Sequence, residues 1–416
     1  MTITRRKVLI GGTASVAAPS IRARAQATDV VIGATYPMSG ANAQIGVDAQ
    51  YAFNTALNII NNDIDLDIIM ARGAGLPGLG GAKLRLVVAD HQSEPQKGRA
   101  EAERLITREK VSALIGTYQS AVAVTVSQTA ERYRTPFLSA DNTSPTLHRR
   151  GFKYYFRPHA HDEMFSKAMF DFFDDLKKKG HKIETLALFH EDTIFGTDSA
   201  NTQQAFAKER GYKIVIAIKY RANSPSLTAE VQQLKAVDAD VLMPSSYTTD
   251  GILLVKTMSE LGYKPKAIVA QDAGFSEKAL FDAVGNKLEG VISRGSFSLD
   301  LAQKRPAVGK VNDMFKARSG KDLNDGTSRQ VMGLLVLADA IDRAKSANGE
   351  KIREALVATD IPGDKTIMPW KRVKFDAMGQ NNDCDPVLLQ YLKGKFVTVF
   401  PPQGAVAEAI WPMNKA

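Results

Sequence analysis

The stretch LRLVVADHQSEPQKGRAEAERLITREKVSALIGTYQSAVAVTVSQTAERYR, residues 84–134, decides the fold. LRLVVAD is a short apolar run, EPQKGRAEAERLITREK a helical one that opens near a proline, VSALIGT a second apolar run, and AVAVTVSQTAERYR a second helix. Strand and helix alternate at the spacing of crossover units, which predicts a parallel sheet covered by helices on both faces.

The same alternation extends in both directions. Upstream, DVVIGATYPMSG reads as a buried strand ending at Pro37 and Gly40, followed by a helix from about Ile45 to Asn61. Downstream, TPFLSAD is another strand, and a second series of strands and helices runs from KIETLALFHED to KAIVAQDAG. The chain therefore reads as α/β, with two doubly wound parallel-sheet lobes. FKYYFRP (Phe152 to Pro158) and EGVISRGSF (Glu289 to Phe297) are extended passages without helical period, expected to pass between the lobes. A third passage is expected near Ala355 to Phe375. The expected division is 1–27 as an export signal, 28–156 with 295–356 as lobe one, and 157–294 with 357–416 as lobe two.

The 416 residues are 44% hydrophobic and 24% charged, enough for two cores. TRRKVLIGGTASVAAPSIRARAQA has a basic start, a short apolar run and small residues at Ala23, Ala25 and Ala27, the pattern of an export signal. Its apolar run is too short to span a bilayer. Arg5 and Arg6 resemble a twin-arginine signal. Removing this segment takes the formal charge from +9 to +4, which leaves no basic stripe for nucleic acid. Cys384 is the one cysteine, so there is no internal disulfide and no lipid-anchor cysteine near the cleavage region; the expected location is the periplasm.

Doubly wound sheets bind ligands at the carboxyl ends of their strands. In lobe one the loops there include GTYQSA (Gly116 to Ala121), with Tyr118, Ser120 and Ala121, and SADNTSP (Ser139 to Pro145), with Asp141 and Thr143. Both place hydroxyls by a helix amino terminus, where free N–H groups favour an anion such as a carboxylate. The alternative is that Ser120 and Thr143 are ordinary helix caps. Lobe two supplies Phe195 and Tyr247 as walls and Asp272 as a partner for a cation. HAHD (His159 to Asp162) and HED (His190 to Asp192) lack a full ligand set, so no metal is expected. G-x-S-x-G, H-E-x-x-H and a G-x-G-x-x-G after the first strand are absent, so the chain reads as a non-enzyme without cofactor, and a dehydrogenase is disfavoured. The glycine-rich segment at 73–81 leads into a strand rather than a helix, and reads as a long surface loop.

IGATYPMSGANAQIG, VVADHQSEPQKGRAEAERLITREKVSALIG, TPFLSADNTSPTL and YYFRP, in that order, resemble the periplasmic solute-binding proteins of ABC importers, of the branched-chain amino acid type, over roughly residues 29 to 400. The resemblance implies a type I fold of two lobes joined by three crossing strands, a monomer that clamps an amino acid or related carboxylate and hands it to an inner-membrane permease. A sensor subunit with the same clamp is the alternative. By the same resemblance Ser120 would hold the ligand carboxylate, Asp141 and Thr143 would flank it, Tyr247 would be the aromatic residue of lobe two, and Asp272 would receive an ammonium group. Phe195 stands where tyrosine is common, Asp141 where a small residue is usual, and the glycine-rich loop is an insertion.

Overall fold

The computed structural model describes residues 28–413; the expected export signal lies outside the described residues. Lobe one opens with β1 (Val30–Tyr36), α1 (Ala43–Asn61), β2 (Leu84–Asp90), α2 (Pro95–Thr107), β3 (Ala113–Gly116), α3 (Ser120–Arg132), β4 (Phe137–Ser139) and β5 (Tyr155–Phe156). The strands are parallel, in the order β2-β1-β3-β4-β5. Winding therefore reverses between β1 and β3, and the loops leaving those two strands diverge to opposite faces, opening a crevice at their carboxyl ends. At that point Gly116 is required: its φ is +153° and a Cβ there would stand 2.5 Å from the Thr35 carbonyl oxygen.

The chain then crosses through Arg157 to His161 and builds α4 (Asp162–Lys178), β6 (Thr185–Glu191), α5 (Ile194–Arg210), β7 (Lys213–Tyr220), α6 (Thr228–Val237), β8 (Val241–Ser245), α7 (Thr248–Glu260), β9 (Val269–Ala270), α8 (Lys278–Val284) and β10 (Ile292–Gly295). Strands β7-β6-β8 are parallel, the Leu242–Ile268 bridge continues them to β9, and β10 pairs parallel with β9. The order repeats that of lobe one, with its reversal between β6 and β8. After Gly295 the chain returns to lobe one as α9 (Pro306–Ser319), α10 (Asp325–Ala344) and α11 (Gly349–Val357), then forms a small hairpin of β11 (Asp360–Pro362) and β12 (Arg372–Lys374). The closing strands β13 (Val387–Leu392) and β14 (Lys395–Phe400) extend the lobe-two sheet antiparallel from β10.

Helix α10 is the axis of lobe one. Its run from Val331 to Ile341 is almost wholly apolar and buried, and it packs with α1, α11 and β4. A capping box starts it: Asn324 Oδ1 accepts from the Thr327 amide at 2.9 Å, and Thr327 Oγ1 accepts from the Asn324 amide at 2.9 Å. This fixes Asp325, the first helical residue, toward the junction of the lobes.

Two segments lie differently from the sequence reading. The glycine-rich insertion is packed rather than a free surface loop: Leu66, Ile68, Ala71 and Leu76 belong to the lobe-one core, and the Gly78 amide donates to Asp342 Oδ1 at 2.7 Å. A Cβ on Gly78 would meet the Asp342 carbonyl oxygen at 2.2 Å, so the glycine permits the backbone to lie directly on α10. Residues 357–384, expected in lobe two, send Ile361, Ile367, Met368, Trp370, Val373, Phe375 and Cys384 into the same lobe-one core. The third crossing starts beside the first, where Arg157 bridges Gln380: the Arg157 amide donates to the Gly379 carbonyl at 2.8 Å and the Asn381 amide to the Arg157 carbonyl at 2.9 Å. Pattern alone missed this because a short hairpin with one inward face looks like a crossing strand.

Trp370→Ala is expected to cost about 3–5 kcal/mol, as for other buried aromatics. The loss should appear as reduced hydrogen-exchange protection of β1 and α10 amides, with lobe-two strands unaffected; unchanged protection of α10 would separate the 357–384 segment from that core.

Candidate functional site

The two reversals put loop mouths opposite one another. From lobe one come Tyr36 at the end of β1, Tyr118 to Ser120 after β3, and Asp141 to Thr143 after β4. From lobe two come Phe195 at the start of α5, Tyr247 before α7, and Asp272 after β9. Three non-glycine residues here have left-handed backbones, Tyr118 at φ +83°, Asp272 at +58° and Ala273 at +56°. Each costs on the order of 1 kcal/mol, and such strain collects where a loop must aim a side chain.

Between the mouths lies a buried ionic cluster. Arg294, in β10, places Nη1 2.8 Å from Asp272 Oδ2 and 3.5 Å from Asp325 Oδ2, and its guanidinium stacks 3.8 Å over the Phe165 ring. Arg329, one turn into α10, places Nη2 2.9 Å from Asp325 Oδ2 and 4.0 Å from Asp272 Oδ2. Its other nitrogens are used too, Nη1 on the Asp141 carbonyl at 3.0 Å and Nε on the Asp325 carbonyl at 3.2 Å. Asp141 accepts from the Tyr36 hydroxyl at 2.5 Å and from Gln330 Nε2 at 3.2 Å. Asp272 and Arg294 are 1% exposed and Asp325 is 2%, so water screens these pairs little.

The electrostatics follow. Burial raises the Asp272 carboxyl, Arg294 opposes it, and the Asp325 charge raises it again, to about 7. Asp325 experiences the same burial, yet Arg329 and Arg294 together hold it below the usual range. Glu277, on the lobe-two side, is pushed up to about 8 by burial and then by the Asp272 and Asp48 charges, although Asn324 Nδ2 donates to its Oε2 at 3.1 Å.

Residues from both lobes and from α10 enclose a cavity of about 20 Å³, room for a single water-sized group. Of the residues singled out in the sequence, Tyr118, Asp141 and Asp272 line it, together with Glu277, Arg329 and Gln330. Phe195, Tyr247 and Tyr118 form an aromatic row across the cleft, with ring centroids 5.1 and 5.3 Å apart. Ser120, Ala121 and Thr143 do not line the cavity. Ser120 is the first residue of α3, with Gln119 in the capping position and no side-chain cap bond. Thr143 turns to the start of α4, its carbonyl accepting from the Asp162 amide at 2.9 Å.

Sequence reading did not single out Arg294, Asp325, Arg329, Gln330 or Glu277. A signal existed for two of them: Arg329 and Gln330 open an otherwise apolar helix, where polar side chains need a buried partner. Arg294 gave none, being one arginine in a passage read only as extended.

A second group of bonds ties the crossings. Buried Arg157 donates through Nε to Gln380 Oε1 at 2.6 Å and through Nη1 to the Asn142 and Ser144 carbonyls at 3.1 and 2.9 Å, while Nη2 meets His148. Gln380 Nε2 in turn donates to the His159 carbonyl at 2.9 Å. His159 and His161 are buried, with His161 just before α4. Burial, then the Arg157 and His148 charges, pulls His161 down to about 2.

Comparison with known proteins agrees with this architecture. The family described as "Periplasmic binding protein" matches residues 29–391. The Leu/Ile/Val-binding protein homolog 8 of Brucella suis biovar 1 is 30% identical over 416 residues, 97% of this chain and 98% of that one. Homolog 7 of the same organism is 29% identical over 411 residues, covering 96% and 98%. Among solved structures, a leucine-binding protein from Thermotoga maritima superposes with a TM-score of 0.75 at 22% identity, covering 89% of this chain and 97% of that one. The branched-chain amino acid substrate-binding protein LivJ of Streptococcus pneumoniae, in complex with isoleucine, gives 0.74 at 19%, covering 92% and 100%. The chain belongs to the periplasmic binding protein family and has its type I two-lobed fold.

The raised carboxyls set a pH dependence. A group whose pKa is higher folded than unfolded stabilises the fold below its unfolded value, and that contribution is lost as pH rises through the folded value. For Asp272 the window is 3.8 to about 7 and for Glu277 4.5 to about 8. The melting temperature should fall from pH 5 to pH 8 at constant ionic strength, and Glu277→Gln, which keeps an Asn324 partner without a charge, should melt with a shallower slope. Equal slopes in the two proteins would remove Glu277 from this role.

Proposed function

We propose that the chain is the solute-binding subunit of an ABC transporter, working in the periplasm as a monomer, which captures an amino acid or related small carboxylate between its lobes and delivers it to a membrane permease. The observation that carries this reading is the meeting of two switch-point mouths on one buried polar cavity. Bonds that exist only when the lobes meet cross it, such as Asn324 to Glu277 at 3.1 Å and Arg329 to Asp272 at 4.0 Å. A clamp needs such contacts, because a ligand shifts an opening equilibrium only by what it gains in the closed form.

Family membership supports an extracytoplasmic location and binding rather than catalysis. Leu/Ile/Val-binding relatives that match along nearly their whole length support an amino acid as the ligand class. In this reading Tyr118, Asp141 and Asp272 touch the ligand directly. Phe195 and Tyr247 form the aromatic wall behind it. Ser120, Ala121 and Thr143 flank the cleft at the start of α3 and after β4, where the α3 amino terminus meets a ligand carboxylate. The three crossings, the first and third tied by Arg157 and Gln380, form the hinge.

A thermal-shift panel of amino acids, carboxylates, amides and polyamines on residues 28–416 should give a ligand that raises the melting point. Tyr118→Ala and Tyr247→Ala should each weaken that ligand about tenfold, a loss of about 1.4 kcal/mol. Cells deleted for the chain should lose uptake of the same solute. Wild-type affinity in both variants overturns the site, and undiminished uptake overturns delivery to a permease.

A further inference from the structure

We infer that the solute taken by this cleft is a small organic cation, whose ammonium, amidinium or guanidinium group sits among Asp272, Glu277 and Gln330; this rests on the solute-capture reading above and narrows it.

The cavity wall has a surplus of carboxylates. Asp48, Asp141, Asp272 and Glu277 line it, and Arg329 is its one cationic side chain among the described residues. That guanidinium already has all three nitrogens engaged with Asp325 and the Asp141 carbonyl. Lys321 is held outside the cavity, its Nζ 2.8 Å from both oxygens of Asp48. Arg294 is shared by Asp272 and Asp325. Carboxylates of the two lobes also converge on one point: a Cβ built on Gly326 would stand 3.7 Å from Glu277 Oε1 and 4.0 Å from Asp141 Oδ1.

Independently, three buried polar groups of the cavity wall lack a hydrogen-bond partner among the described residues, two acceptors and the Tyr118 hydroxyl, which can donate or accept. Asp272 Oδ1 and Gln330 Oε1 are buried acceptors with no hydrogen-bond partner among the described residues, and both residues line the cavity. Leaving such acceptors unpaired costs about 1–3 kcal/mol each, more for a charged one. A cation with several N–H groups satisfies both and relieves the repulsion that raises Glu277.

The start of α10 at Gly326, where a helix N-terminus would favour an anion, is already approached by Glu277 and Asp141. A neutral zwitterion adds one carboxylate for each ammonium it brings, whereas a solute of net positive charge also offsets the acids of this wall. The cavity's present size also suits a head of ammonium dimensions, while the rest of the solute requires the lobes to part.

Calorimetric titration of residues 28–416 tests this with L-arginine, L-lysine and putrescine as cations, L-leucine and L-isoleucine as neutral zwitterions, and L-glutamate and benzoate as anions. At least one cation should bind about tenfold or more tighter than L-leucine, and Glu277→Gln should weaken that cation about tenfold. Tight binding of arginine or lysine without putrescine assigns the cation to an amino acid; the converse assigns it to an amine. If Glu277→Gln fails to fold, Gln330→Met, which removes an unpaired acceptor, carries the same comparison. Should L-leucine or L-isoleucine bind as tightly as every cation, the cation assignment falls and solute capture stands. Should nothing in the panel bind, solute capture falls, and this inference with it.

Discussion

A buried guanidinium is tolerable only when carboxylates and acceptors surround it, and the junction of this protein is organised around that constraint. Arg294 and Arg329 share Asp272 and Asp325 where the lobe-two sheet, the second crossing and the head of α10 meet. Desolvating charges costs several kcal/mol per ion, and their attraction in a dry interior repays this only with good geometry. Removing one partner would strand the others, so the cluster fixes how the lobes and α10 sit when they meet. A surface ion pair would fix nothing, being worth at most about 1 kcal/mol.

Around that junction the fold is two copies of one arrangement. Each lobe runs its first five strands in the same order, so each has a reversal at which loops diverge, and the crossings turn the two reversals toward each other. The binding site is thus a consequence of chain direction before any side chain is chosen. Side chains then decide what the cleft holds: an aromatic row of Phe195, Tyr247 and Tyr118 on one side, acid-rich walls on the other. Where the crossings run side by side, Arg157 and Gln380 pair the first with the third through main-chain and side-chain bonds.

The additions to this plan are structural. The insertion after α1 presses Gly78 onto α10 and gives Leu76 to the core, while the β11–β12 hairpin covers the same lobe with Trp370. Both enlarge the core from which α10 projects Asp325, Arg329 and Gln330 into the cleft. Their effect on the site is therefore indirect: they hold rigid the helix that aims these groups.

Alternation of apolar strands and amphipathic helices, written in residues 84–134 and repeated after Lys182, was enough to determine the doubly wound lobes, because periodicity and crossover length are local properties of the chain. The loops at the strand ends could be named for the same reason, and Tyr118, Asp141 and Asp272 among them do line the cavity. What pattern could not decide was which groups share a site across long sequence separations. Arg294 and Asp325 are 31 residues apart, Asp141 and Gln330 189. Nor could it foresee that the Tyr118 and Tyr247 rings would meet, or that 357–384 would fold back on lobe one, since each depends on packing between segments remote in sequence. Charge pairing in a buried junction is a property of three-dimensional proximity and desolvation, and only the folded chain sets either.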